Sequence, residues 1–452
     1  MRLIAIVALF ALGLLRLSAQ TTTTSFLDLY AFTLTSGQPG TNDDGAYPAA
    51  GLILSGNTLF GTTTVGGSAG YGTIFQVNTD GSDFNTLYTF TNGVDGSTPM
   101  APLLFADGVL YGTASAGGES DYGTVFAISV EATNFSALYA FTNGADGARP
   151  ESGLLLAGGA LCGTTTGTMS GSSYGSLFML NTNGAGFSVL HRFSAPVSGI
   201  NNDGFSPSGT LILQGGLLYG VTTDGGRHGT GTLFEAATNG SSFDTFYSFS
   251  AVSLSLTNAG GANPQGGLVS SGNVLYGAAY FGGANGYGTI FSYDTAHTAF
   301  SPIYAFSGGE DYIHPQGPLI LSSNLLYGTT ADTIFSVTTN GTEFTDVFST
   351  NNADDFGPNG GLVFAGQTFY DTTQDSGTNE VGMVFAVSMV PSAIPLTIQQ
   401  APDAVILTWS NPAFLLQSAP ALTGPFTNVT GANSPYTYPA TGSQAFFRLL
   451  AN

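Results

Sequence analysis

Seven copies of one pattern fill most of this 452-residue chain, and that repetition limits the possible folds before any single residue is interpreted. Aligned on an aromatic-Gly-Thr-Thr step, the copies fall at Gly61, Gly112, Gly163, Gly220, Gly277, Gly328 and, in degenerate form, Asp371. The spacings are therefore 51, 51, 57, 57, 51 and 43 residues. A second step follows each copy: Tyr71-Gly-Thr-Ile-Phe75 in the first, then Tyr122 to Phe126, Tyr174 to Phe178, Thr230 to Phe234, Tyr287 to Phe291, Ala331 to Phe335 and Val381 to Phe385.

Each copy reads as four short strands. Leu52 to Leu54, Leu103 to Phe105 and Leu211 to Leu213 are continuously apolar, as an innermost strand covered on both faces would be. Leu59 to Thr63 and Tyr71 to Val77 are rich in Thr, aromatic and β-branched residues and are separated by glycine clusters. Asp80-Gly81, Asn183-Gly184, Asn239-Gly240 and Asn340-Gly341 supply the positive φ that a tight hairpin into a fourth strand needs. No stretch has a helical period. Four antiparallel strands repeated seven times predict an all-β fold, a seven-bladed β-propeller.

The fourth-strand motif also says how such a ring would close. It recurs as Leu29-Tyr-Ala-Phe32, Leu87-Tyr-Thr-Phe90, Leu138-Tyr-Ala-Phe141, Leu190-His-Arg-Phe193, Phe246-Tyr-Ser-Phe249, Ile303-Tyr-Ala-Phe306 and Asp346-Val-Phe348. One copy precedes the first full unit and none follows Phe385. The N-terminal strand is therefore expected to complete the last blade and remove an exposed edge.

The combination of Gly-x-Leu-Tyr-Gly-Thr-Thr, Gly-Gly-x-x-x-Tyr-Gly-Thr-Ile-Phe and Leu-Tyr-x-Phe-Thr-x-Gly-x-Asp-Gly-x-x-Pro resembles the tandem GloVer repeat of secreted bacterial proteins, over about residues 26–390. Copies drift: Cys162 replaces the Tyr of the first step, and Asp371 its Gly. The resemblance implies an exported, propeller-like repeat protein, often coupled to a C-terminal anchoring or sorting module. It implies no established chemistry.

Residues 1–19 combine Arg2, an apolar run from Leu3 to Leu15 and Ser18-Ala19, the tripartite pattern of a secretory signal peptide. The competing reading is a short uncut anchor, although thirteen residues are few for a bilayer core. All six basic residues are arginine, and loss of Arg2 and Arg16 takes the formal net charge from −22 to −24. Such a surface repels nucleic acid and anionic lipid. Cys162 stands alone, so no internal disulfide is possible, and it reads as a buried packing residue. Thirty-four Phe and twenty Tyr supply the apolar area for cores between blades. The expectation is a monomer with no cofactor.

Function would sit on loops. Those joining strands two and three and those joining strand four to the next unit should emerge on one face, because strands alternate in direction. That face carries Asp-Gly-x-x-Pro at Asp44, Asp95, Asp146 and Asp203, with looser versions at Asn263-Pro264, Asp311 to Pro315 and Asp355 to Pro358. As turns, these use the Asp acceptor, the Gly φ and the Pro constraint, and Asn would serve in place of Asp. The less favoured reading is a carboxylate ring holding a cation, for which calcium would need six to eight converging oxygens. Two loops, 194–206 and 251–263, are longer than the others and account for the 57-residue spacings. Arg149, Arg227, His228 and His314 belong to the same face and are the candidate ligand contacts, with Arg227 suited to a glycan carboxylate or sulfate. The sixth copy, Thr329 to Thr333, lacks the glycine loop and should leave a notch.

No nucleophile elbow, His-Glu-x-x-His pair, phosphate loop or Cys/His metal spacing is present. A polysaccharide-degrading enzyme, lyase or glycosidase, is the alternative to a binding protein, and a structural envelope component is a third reading. Past a short linker, Ser392 to Pro395, residues 396–452 give alternating runs that suit a small β-sandwich with Trp409 in its core. The segment from Leu416 to Gly431, with Phe446 to Leu449, resembles a fibronectin-like C-terminal module of exported bacterial proteins, suited to attachment or sorting. The sequence thus divides into a signal peptide (1–19), a propeller (20–390) and a sandwich (396–452). It points to a secreted or surface protein binding carbohydrate or protein.

Overall fold

The computed structural model describes residues 23–451 apart from 132–133, 169–172, 309–313, 350–356, 359–360, 391–395, 402–403, 410–413, 421–424 and 440–444. The expected signal peptide, the linker 392–395, Asp311 and Asp355 lie outside the described residues. Among the described residues there is no helix, and the fold is all-β. Two compact units are distinguished: Thr24–Ser388 carries the repeats, and Met389–Asn452 belongs to the other.

Each of the first six repeats forms four antiparallel strands in chain order, as in Ile53–Ser55, Thr58–Thr63, Thr73–Asn78 and Asn85–Thr89 of the first. Register explains why the two sequence steps travel together. Gly61 pairs with Phe75, and the same Gly–Phe pair recurs as Gly112–Phe126, Gly163–Phe178, Gly220–Phe234, Gly277–Phe291 and Gly328–Phe335. The Phe ring lies across its glycine: a Cβ on Gly220 would come within 2.4 Å of Phe234 Cζ and 2.8 Å of Leu211 Cδ2. In the seventh repeat Asp371 occupies this place opposite Phe385, fully buried, accepting hydrogen bonds from the N–H groups of Thr372 (2.8 Å) and Gly361 (3.4 Å).

The fourth strand carries a β-bulge at the same point in six repeats. Ile74 pairs with Tyr88 and Phe75 with Thr86, so Leu87 is the extra residue, as are Leu138, Leu190, Phe246, Ile303 and Val347 in their strands. The Leu of the Leu-Tyr-x-Phe motif is therefore the bulge residue, and the added twist blunts the outer edge.

Two departures from seven separate sheets are present. The first strands are only three residues long in repeats one, two, three and seven, with Ile53 and Leu54 half-buried rather than covered on both faces. Phe205–Gln214 and Ala262–Ser271 instead run ten residues, and a single parallel bridge, Thr210 to Gly267, merges repeats four and five into an eight-stranded sheet. Glycine permits that approach, since a Cβ on Gly209 would lie 2.1 Å from Gly267 N.

The cores lie between consecutive repeats. Phe60, Ile74, Leu87 and Phe90 of the first repeat share one cluster with Leu103, Leu110, Phe126 and Ile128 of the second. The first and seventh repeats share another, in which Leu29, Phe32, Leu52, Leu59 and Phe75 meet Tyr370, Val384 and Ala386. Thr23–Ala31 is hydrogen-bonded into the last sheet beside Met383–Val390. Gly51 and Gly361 touch, and Thr372 Oγ1 donates to Ala50 O at 3.0 Å.

An aromatic stack joins each pair of neighbours. Tyr30 lies on Phe84 (ring centroids 3.5 Å apart), Tyr88 on Phe135 (3.9 Å), Tyr139 on Phe187 (3.7 Å), His191 on Phe243 (3.5 Å), Tyr247 on Phe300 (4.1 Å), Tyr304 on Phe344 (4.5 Å) and Phe348 on Phe26 (5.5 Å). Interplanar angles are 3–9° throughout. Such contacts are worth about 0.5–1.5 kcal/mol each beyond the area they bury. Cys162 is buried among Leu177, Leu211 and Phe234, and burial pushes its thiol up to about 11.

In the C-terminal unit, Thr397–Ala401, Ala404–Thr408 and Tyr436–Pro439 form one sheet, and Thr427–Asn428, Phe414–Ala419 and Phe446–Ala451 another. Leu407, Trp409 and Leu416 make its core.

Candidate functional site

The Asp-Gly-x-x-Pro segments follow the fourth strand, and their carboxylates are directed into the fold. Asp95 is 5 % exposed and accepts from Tyr88 Oη (3.1 Å), Thr91 N (2.8 Å), Thr91 Oγ1 (2.7 Å) and Gly93 N (3.1 Å). Asp146 repeats this with Tyr139, Thr142 and Gly144, and Asp44 accepts from Tyr30 and Thr33. At the fourth such segment His191, from the third repeat, takes the place of Tyr: its Nε2 donates to Asp203 Oδ2 at 3.0 Å, beside Ser194 N (2.9 Å) and Ser194 Oγ. Burial would raise the Asp203 carboxyl, but the bonds from His191 and Ser194 together hold it below its ordinary range. These carboxylates collect N–H and O–H donors. Among the described residues no group of three or more His, Cys, Asp or Glu side chains is placed to hold a metal ion.

The residue before each proline has left-handed backbone: Tyr47, Thr98, Arg149, Ser206, Asn263 and His314 all have φ between 54° and 57°, and Gly357 fills the seventh place at 36°. Positive φ is uncommon without glycine. Its repetition at one position marks architecture rather than a special site. Each of the six N–H groups reaches the preceding repeat: Thr98 N donates to Tyr71 O (3.0 Å), Arg149 N to Tyr122 O (2.9 Å), Ser206 N to Tyr174 O (3.1 Å), Asn263 N to Thr230 O (2.8 Å) and His314 N to Tyr287 O (2.9 Å). Tyr47 N makes the same bond to Val381 O of the last repeat, at 2.8 Å.

Three leading loops are long, one more than the repeat spacings reveal, because 33–45 precedes the first aligned glycine. Each is held by one asparagine that the sequence reading did not single out. Asn201 Nδ2 donates to Ser194 O and Gly204 O (2.8 Å each), and its Oδ1 accepts from Gly204 N and Gly226 N (2.9 Å each). Asn42 and Asn258 make the equivalent bonds, to Gly67 N and Gly283 N of their own glycine loops among others. The tips expose Leu34 (65 %), Val197 (79 %) and Leu254 (107 %), with Ile200 and Leu256 beside them. The Phe32-to-Asp44 separation was the signal available in sequence.

The four candidate contacts fall in three places. Arg149 is paired with Glu151, Nη2 to Oε1 at 2.7 Å, and Glu151 also accepts from Thr166. Arg227 and His228 are exposed on the loop that Asn201 clamps, with Arg227 N donating to Ser248 Oγ (2.9 Å). Thr230 ties that loop to the start of the next long one through Phe249 O and Ser250 O (2.9 and 3.3 Å). His314 lies further along, at the junction of repeats five and six, where Nδ1 donates to Tyr280 O at 2.8 Å and the ring stacks on Tyr280, centroids 4.5 Å and planes 8° apart. Phe281 and the 39 %-exposed Tyr287 flank it. In the sixth repeat the glycine loop is replaced by a tight turn, Thr330 N to Thr333 O at 2.9 Å. Asp224, also missed in sequence, is raised by burial, with the Asn263 amide bond opposing.

Solved structures share the fold. One is the extracellular domain of BT4673, named as a candidate hybrid two component system from B. thetaiotaomicron, at 10 % identity and TM-score 0.51 over 86 % of this chain. Another is PorZ, a bacterial surface component of the type-IX secretion system of Porphyromonas gingivalis, at 11 % identity and TM-score 0.50 over 91 %. The chain spans 45 % of the first and 60 % of the second. No curated protein matches the sequence. The model of the Gloeobacter/Verrucomicrobia repeat matches twice, at residues 15–173 and 167–333, and the chain belongs to that family.

Proposed function

We propose that this is a secreted protein whose seven repeats form a closed seven-bladed propeller, acting as a binding scaffold outside or on the cell for carbohydrate or protein. The observation that carries the binding role is the set of three long loops, clamped alike by Asn42, Asn201 and Asn258, that hold Leu34, Val197 and Leu254 in solvent. Apolar side chains held out on rigid hairpins form a recognition surface, not a core. Closure is supported by three contacts that repeat between first and last units as they occur between sequence neighbours. These are the Tyr30–Phe84 stack, the Tyr47–Val381 bond, and Gly81 against Leu29 O as Gly184 packs against Leu138 O.

Secretion is supported by the tripartite N-terminus, and the acidic composition suits it. Among the described residues no helix is long and apolar enough to cross a membrane. Two fold neighbours being an extracellular domain and a surface component accords with this setting. The C-terminal unit serves as a fibronectin-like module for attachment or sorting. Arg227 and His228, between two long loops, are the polar contacts for an acidic group, and the Asp motifs are turns. The chain works as a monomer without cofactor. The enzyme alternative has one group in its favour, the raised carboxyl of Asp224.

Purified residues 20–452 should bind on a glycan array or to surface proteins without producing cleaved polysaccharide. Arg227→Ala should weaken any acidic glycan, and Val197→Ser with Leu254→Ser any protein partner, with unchanged melting temperature. Unsaturated or shortened polysaccharide products would establish the enzyme instead.

A further inference from the structure

The fifth repeat breaks the pattern where its glycine loop begins. Four other repeats place a hydroxyl residue there, Thr64, Ser115, Thr166 or Thr223, followed by Val65, Ala116, Gly167 or Asp224, and the seventh has Gln374-Asp375. The fifth has Tyr280-Phe281. Neither ring is buried, although the surrounding strands would accept smaller residues, as four repeats demonstrate. Large aromatic rings left half-exposed on a rigid scaffold are costly unless something covers them.

Their arrangement is fixed. Tyr280 and His314 are stacked at 4.5 Å and 8°, Phe281 stands edge-on to both (4.7 and 5.0 Å), and Tyr287 meets His314 at 66° while resting on Gly308. Because a carbonyl only accepts, His314 Nδ1 carries the proton toward Tyr280 O, leaving Nε2 as the ring's other polar atom. In the first repeat the glycine loop stands over its own leading segment, Gly67 N donating to Asn42 Oδ1 and Thr64 N to Tyr47 O. The sixth repeat keeps only Ala331-Asp332 between Thr330 and Thr333, so His314 lacks that cover from its own repeat.

We propose that Tyr280, Phe281, Tyr287 and His314 form a subsite for an uncharged pyranose ring of a polysaccharide. This rests on the binding-scaffold reading and narrows it to sugar at this place. A pyranose offers a flat C–H face to an aromatic platform and hydroxyls at its rim to the phenols and Nε2, matching an apolar surface with a few placed polar groups. A chain of formal net charge −22 disfavours a polyanion.

The repeats provide a variant expected to keep the fold. Tyr280→Thr with Phe281→Val restores the Thr64-Val65 of the first repeat. His314→Asn copies Asn263, whose Nδ2 already donates to Thr223 O at 3.0 Å from the equivalent place. Residues 20–452, wild type and triple variant, are applied to an array of neutral glucans, mannans, galactans and xylans beside acidic polysaccharides. The expected result is binding of a neutral polymer that falls at least tenfold in the variant, with melting temperature unchanged. Equal neutral binding by both proteins overturns the subsite while leaving the scaffold reading intact. Binding confined to acidic polymers, or to protein alone, overturns it too. If the variant melts early, single Tyr287→Ala must reproduce the tenfold loss, and retention of binding there refutes the subsite.

Discussion

The ring of Phe26 lies 5.5 Å from that of Phe348, their planes 7° apart, although 322 positions separate them in the sequence. Phe26 thereby does for the last repeat what Phe84 does for the first against Tyr30. Seven equivalent stacks cannot be arranged in an open row of seven units, which would have six junctions. This count supports the proposed ring.

Asp95→Asn and Asp146→Asn should cost stability, by about 1–3 kcal/mol each. Turn preference alone would make Asn equivalent, as the sequence suggests. In the structure both Asp95 oxygens accept from backbone N–H groups, Thr91 and Gly93, so either amide orientation sets an NH2 against a donor. Denaturant unfolding of the single variants measures the loss, and values near zero would return the simpler turn account.

Gly220→Ala should destabilise by roughly 1–3 kcal/mol or more through overpacking against Phe234 and Leu211. Pairing it with Phe234→Leu, which withdraws the ring edge, should give less than the sum of the single losses. Additive losses would show that the Gly–Phe contact is not the cause.

Alkaline unfolding should set in between about pH 10 and 12. Burial, and then the charges of Asp95 and Asp146, push Tyr88 and Tyr139 up to about 12 from an ordinary 10. A hydroxyl raised in the folded state contributes stability that is complete below pH 10 and is lost as pH rises through the folded value. Tyr88→Phe with Tyr139→Phe should flatten the decline of melting temperature in that window, and an unchanged slope would assign the effect elsewhere.

Cys162 should remain unmodified by thiol reagents in the native protein at pH 8 and react fully in denaturant. Its thiol is buried and raised to about 11, leaving little thiolate. Rapid native labelling would mean that the third and fourth repeats open locally.

Much of the fold was legible because the repeat amplifies weak local signals. The Gly61 and Phe75 pair announces itself six-fold, and once more with Asp371 for the glycine, although the contact becomes visible only through strand register. What stayed hidden depends on long-range pairing: Asn201 matters because Gly226 is delivered to it, and the ten-residue inner strands merge because Gly209 meets Gly267. At the candidate site, His314 and Arg227 were found as charged or polar exceptions in a chain poor in them. Arg149 looked the same in sequence, yet Glu151 two residues on occupies it. Tyr280 and Phe281 were overlooked because two more aromatics are unremarkable in a strand until their exposure is known.

The most direct test of closure is thermal unfolding of residues 20–452 beside a chain lacking 26–32. Without that strand the last sheet loses its fourth member, and both the Phe26–Phe348 and Tyr30–Phe84 junctions disappear. The account predicts a melting temperature lower by at least roughly 5 °C, with increased aggregation from the exposed edge. An identical melting temperature and solubility in the truncated chain would contradict it.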